Sequence, residues 1–72
     1  MPDTTVMSQD IGNYHVDLTI LNRNGRNSYR TTLYRRSGAE YVVERQITYD
    51  TEKQAENCFT KYCKVARKEM GD

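Results

Sequence analysis

Between Tyr14 and Leu21 the chain alternates strictly. Tyr14, Val16, Leu18 and Ile20 point one way, and His15, Asp17 and Thr19 the other. Side chains on an extended strand switch faces at every residue, so this period of two predicts a half-buried strand. A polar stretch, Asn22 to Asn27, interrupts it with Asn24-Gly25 at its centre, a pair that accepts the positive φ angles of a tight hairpin turn. The alternation resumes from Ser28 to Arg36. Ser37-Gly38-Ala39-Glu40 reads as a second turn, and Tyr41 to Tyr49 as a third strand. On that strand Tyr41, Val43, Ile47 and Tyr49 are expected on the core face. Arg45 breaks the pattern, and either snorkels at the sheet edge or marks a β-bulge.

After Tyr49 the period changes. Thr51-Glu52-Lys53-Gln54 has the form of a capping box, which opens a helix by satisfying backbone N–H groups that have no intrahelical partner. Ala55, Cys58, Phe59, Tyr62, Ala66 and Met70 recur at three- and four-residue steps and form one apolar stripe. Gly71 suits a left-handed C-cap. Residues 1–12, with Pro2 and Gly12, show no periodicity and read as a flexible arm. The expected fold is α+β: a three-stranded antiparallel β-meander packed on one C-terminal α-helix, in a single domain over residues 13–72. Helix on sheet is the arrangement that buries both apolar surfaces at once. Val16, Leu18, Ile20, Leu33, Val43 and Ile47 are expected to meet Cys58, Phe59, Tyr62 and Ala66.

Length limits what such a domain can do. A chain of 72 residues buries only about 60% of its unfolded surface and can spare little of its core for a catalytic cavity. The lone histidine, His15, has Asp17 on its own face, yet no glycine-flanked serine elbow completes a triad. Cys58 and Cys63 are five residues apart and would point about 140° apart on a helix, which disfavours a bridge between them. They read as reduced, partly buried thiols, with an intermolecular disulfide as the alternative. With one distant histidine they match no zinc spacing. No glycine-rich phosphate loop occurs. No catalytic residue, metal or cofactor is therefore expected, and no small-molecule substrate. The start of the chain lacks the basic and apolar segments of a signal peptide, and no run approaches a membrane span. The expected location is cytoplasmic, with no membrane partner.

Net charge is +1, but its distribution is uneven. Setting aside the tail acids Asp3, Asp10 and Asp72 leaves seven acidic against 11 basic residues. Two surfaces are candidates for binding. Lys53, Lys61, Lys64, Arg67 and Lys68 fall within an arc of about 120° opposite the apolar stripe, a face that suits an anionic partner or is simply solvated. The sheet face away from the helix should display His15, Asp17, Thr19, Arg30, Thr32, Tyr34, Arg36, Val42, Glu44, Gln46 and Thr48. Tyr34 and the arginines give it the chemistry of interaction hot spots. The plainer alternative is an exposed face with cross-strand pairs such as Arg30 with Asp17 or Glu44. Arg23 and Arg26 add two mobile arginines at the hairpin tip, which either grip phosphate or carboxylate or, more commonly, serve solubility.

Two resemblances bear on the partner. The run Ile47-Thr48-Tyr49-Asp50-Thr51-Glu52-Lys53-Gln54-Ala55-Glu56 resembles the strand-to-helix junction of the plant ethylene-response-factor DNA-binding domain and of the arm-binding domain of tyrosine integrases. In those families a three-stranded sheet reads the major groove, which implies DNA contacts from Arg30, Tyr34 and Arg36. In format, a short chain with a strand meander, one helix and no catalytic site, the protein is similar to small phage-borne anti-CRISPR inhibitors of type I systems. That likeness implies a non-catalytic inhibitor that blocks a protein or ribonucleoprotein complex, with DNA binding as the alternative.

Overall fold

The computed structural model describes residues 3–69. Four strands, β1 (Thr4–Ile11), β2 (Tyr14–Arg23), β3 (Arg26–Ser37) and β4 (Glu40–Tyr49), precede one helix, α1 (Glu52–Glu69). The strands form one antiparallel sheet in the order β1-β2-β3-β4. The fold is thus α+β with a C-terminal helix, but with four strands rather than three.

The extra strand comes from the expected arm. Residues 4–11 pair along β2, from Thr4 opposite Ile20 to Ile11 opposite Tyr14. Gly12-Asn13 closes this hairpin in two residues, with Gly12 at φ 56°. A positive φ at the first central position is the type II′ pattern, which suits the twist of paired strands. β1 carries no alternation because it is a nearly fully exposed edge. Only edge strands can fold without an apolar face of their own. The β2–β3 turn is as read: Asn24 and Gly25 both have positive φ (55° and 77°), the type I′ pattern.

Helix α1 lies across β2 and β3, with fewer contacts to the edge strands. Val16, Leu18 and Leu33 from the sheet meet Ala55, Cys58, Phe59, Tyr62, Cys63 and Ala66 from the helix. Ala55 and Ala66 are fully buried, and their small side chains let the helix backbone approach the sheet. There the buried Thr31 hydroxyl donates to the Ala55 carbonyl at 2.8 Å. Such a bond contributes about 1 kcal/mol net and fixes the helix along β3. At the start of the helix the Gln54 N–H donates to Thr51 Oγ1 (3.3 Å), while the Thr51 hydroxyl donates to Gln54 Oε1 (3.0 Å). The cap forms, with the Gln54 side chain held by the hydroxyl. Glu52 in the first turn and Arg67 and Lys68 in the last complement the helix dipole. The expected apolar Met70 and C-cap Gly71 lie outside the described residues.

One irregularity changes the faces of β4. The register shifts between Leu33 and Tyr34: Leu33 faces Arg45 and Tyr34 faces Val43, so Glu44 is an extra residue. This is a β-bulge. Arg45, Ile47 and Tyr49 stay on the helix side, whereas Val43 and Tyr41 move to the open side. Val42 and Glu44, expected on the open side, lie on the helix side. Glu44 there accepts from Arg35 Nε at 2.9 Å, instead of pairing with Arg30. The core is correspondingly smaller than expected. Val43 and Ile47 remain 54% and 44% exposed, and Ile20 stays outside the core cluster.

Candidate partner-binding face

The open face of the sheet is built by odd residues of β2, even residues of β3 and, beyond the bulge, Tyr41 and Val43 of β4. At its β1–β2 turn end three rings gather. The His15 ring centroid lies 5.8 Å from that of Tyr34 and 6.0 Å from that of Tyr41, and the two tyrosines are 6.5 Å apart, edge to face. Tilted and edge-on rings at these separations are mutually attractive. Tyr41 is nevertheless 47% exposed, and Val43 next along the face more so. Arg36 borders the group opposite Tyr41, with its Nε donating to the Gly38 carbonyl at 3.1 Å.

His15 is held between two carboxylates. Its Nδ1 is 2.6 Å from Asp10 Oδ1, and its Nε2 is 3.7 Å from Asp17 Oδ2. Asp10 comes from β1, so the unanticipated strand supplies one wall of this cluster. Burial pushes the Asp17 carboxyl above its ordinary value, against the opposing pull of His15, Arg30 and the Tyr34 hydroxyl. The folded state therefore takes up this proton at a higher pH than the unfolded chain. The cost of holding the buried charge is present above the raised value and is relieved as pH falls through it. Stability of the natural chain should accordingly rise relative to Asp17→Asn as pH drops toward about 3.9, the ordinary aspartate value. Urea denaturation of both proteins across that range checks this. A pH-independent difference would mean that Asp17 titrates alike in both states.

Further along the face, Thr19 and Thr32 are buried although they point away from the helix. Gln46 Nε2 donates to the Thr32 hydroxyl at 3.1 Å, and Arg30 sits opposite Thr19. Arg30 is half-buried with its Nε enclosed and without a partner among the described residues. The three residues singled out on β3 do share this face, but they differ in reach. Arg36 is exposed, while Arg30 and Tyr34 are half-buried.

The other candidates lie apart. Arg23 is paired: its guanidinium donates to Asp3 Oδ1 at 2.8 Å, and this bond holds the Asp3 carboxyl below its ordinary value. Arg26 lines a shallow depression of about 280 Å³ with Arg23, Asn27, Ser28 and Asp50. Lys53, Lys61, Lys64, Arg67 and Lys68 are all exposed on the far side of the helix. None of them takes part in an ion pair among the described residues. The basic helix stripe and the aromatic face are therefore on opposite sides of the molecule and cannot form one site. Sequence reasoning missed Tyr41 and Val43, because a single inserted residue decides their side.

The chain matches no family model, no curated protein and no solved structure. Its site must be read from its own geometry. The described residues contain no group of three His, Cys, Asp or Glu side chains able to hold a metal ion. None of the described helices is long and apolar enough to cross a membrane.

Proposed function

We propose that the chain is a non-catalytic binding protein, a small phage or mobile-element inhibitor of the anti-CRISPR type, which blocks a protein or ribonucleoprotein complex with its open sheet face. The observation that carries this reading is the cluster in which exposed Tyr41 and Val43 sit beside half-buried Tyr34 and His15 on the open face. Tyrosines bring large contact area with little rotamer entropy to lose, and they recur with arginine at interface hot spots. Here Arg36 supplies the bordering cation. The basic helix face points away from such a contact. Its role in this reading is to steer the chain toward a partner with an anionic surface, raising the association rate more than the affinity.

A second reading is favoured by Arg30, Tyr34 and Arg36 sharing one face of β3. A sheet laid in the major groove would use such residues on base edges and phosphates. Asp10 and Asp17 oppose it, because they place negative charge where phosphates would approach. The cytoplasmic site of action and the absence of a cofactor belong to both readings.

Two measurements separate them. Fluorescence anisotropy with duplex DNA at several salt concentrations should give no sequence-selective binding near physiological salt if the inhibitor reading holds. Steeply salt-dependent, sequence-selective binding would instead establish the DNA reading. In parallel, expression of the chain in bacteria whose type I CRISPR system targets a phage should restore plaque formation. Unchanged plaquing, together with no capture of the purified surveillance complex, would sink the inhibitor assignment.

A further inference from the structure

Strand β4 is an edge, and it is unusually apolar on both sides. Tyr41 and Val43 are exposed on the open face, and Val42 (39% exposed) and Ile47 on the helix face. Exposed edges normally carry devices against pairing, such as charge, proline or a bulge that twists the edge away. β1, the other edge, also exposes Val6 and Met7, but they sit at the break in its register between Thr5 and Met7, and the strand is otherwise mostly polar. β4 has only Glu40, Glu44 and Arg45 as charges, and its bulge does not protect it. Instead the bulge makes the strand self-complementary.

The argument is one of parity. In an antiparallel pairing of β4 with a second β4, every residue must meet a residue on the same face of the joined sheet. In a regular strand, a two-fold axis between neighbouring residues would set odd positions against even ones and mismatch every pair. The extra residue at the bulge puts Glu44 and Arg45 both on the helix side and cancels the mismatch. With the axis between them, Val42 meets Ile47 on the helix side, and Val43 meets Gln46 on the open side. Tyr41 then meets Thr48, and Glu40 meets Tyr49. At the centre Glu44 of each copy faces Arg45 of the other. This register uses the whole strand, keeps all faces aligned and sets opposite charges together twice.

We propose that two copies of this chain associate through β4 into one continuous eight-stranded sheet, with the central Glu44–Arg45 cross-pairs fixing the register. The contact is isologous, so it closes as a dimer and leaves the β1 edges outermost. It is independent of what the open face binds, and it would place two aromatic clusters on one surface.

Sedimentation velocity of the full chain over a concentration series is the direct test. The mass should move from 8.4 kDa toward twice that value. A monomer at every concentration overturns the proposal without any variant. Glu44→Arg and Arg45→Glu should each weaken self-association by about tenfold or more, since like charges then face each other twice across the axis. Mixed in equal amounts, the two variants should associate again, because the mixed pair restores opposite charges at both positions. Dimers that persist in both single variants, with circular dichroism unchanged, would show that another surface is used. A mixture that stays monomeric while the natural chain dimerises would exclude this register.

Discussion

Leu33→Ala is expected to lower the unfolding free energy by about 2–5 kcal/mol, the range for truncating a fully buried leucine. Leu33 is 1% exposed at the centre of β3, between Val16 of β2 and Arg45 of β4, and directly under the helix. A domain of this size has roughly 4–11 kcal/mol of stability in all. The substitution should therefore cost a large share of it and lower the melting temperature by roughly 10–30 °C. Thermal denaturation followed by circular dichroism gives the answer. Ile47→Ala is the matching control, since its side chain is 44% exposed and should cost far less. Equal losses at the two positions would mean that Ile47 is covered in solution, by the helix or by β4 of a second copy.

The second large effect concerns binding. If the open face binds a surveillance complex as proposed, Tyr41→Ala should weaken that interaction by about 2 kcal/mol, roughly 30-fold. It should change stability by no more than about 0.5 kcal/mol, as for surface substitutions generally. The ring is half-exposed and meets the rings of His15 and Tyr34 at the surface, so little of the fold depends on it. The contrasting variant reverses Lys61, Lys64 and Lys68 to glutamate on the other side of the molecule. If that triple change abolishes binding while Tyr41→Ala leaves it intact, the helix stripe is the contact and the open face is not. Under the inhibitor reading the triple change should slow association and leave dissociation nearly unaltered.

The sequence was informative wherever burial imposed a period. β2 and the inner half of β3 lie under the helix, and their alternation places Val16, Leu18 and Leu33 where they are found. The helix was equally plain, because its stripe and its Thr51–Gln54 cap are local features. β1 was hidden because an exposed edge needs no apolar face. What remained visible was the turn, Gly12-Asn13, a pair of the kind that closes two-residue hairpins. The bulge at Glu44 had one trace, the charge of Arg45 in an apolar row. Its consequence depends on pairing with β3, which no local pattern encodes. Hence the aromatic cluster was only half legible: His15 and Tyr34 could be placed on the open face, but Tyr41 and Val43 could not. Charge alone likewise gave no sign that Arg23 would be tied to Asp3, since the two are 20 residues apart.

The two free thiols give the molecule a pair of built-in reporters. Cys58 and Cys63 are both buried, but they sit at different flanks of the sheet. Cys63 Sγ is 3.7 Å from Gln9 Oε1 on β1, and burial raises its thiol above the ordinary value. Cys58 lies beside Tyr49 at the end of β4 and beside Tyr62, whose hydroxyl is pushed up to about 12, mainly by burial. Both sulfurs are shielded from solvent, so each is open to a reagent only when its cover lifts. Peeling of β1 would unmask Cys63 while the core stays closed, and fraying of β4 would unmask Cys58. Alkylation timed at each site thus reads the local opening of the two borders separately, without a label being introduced.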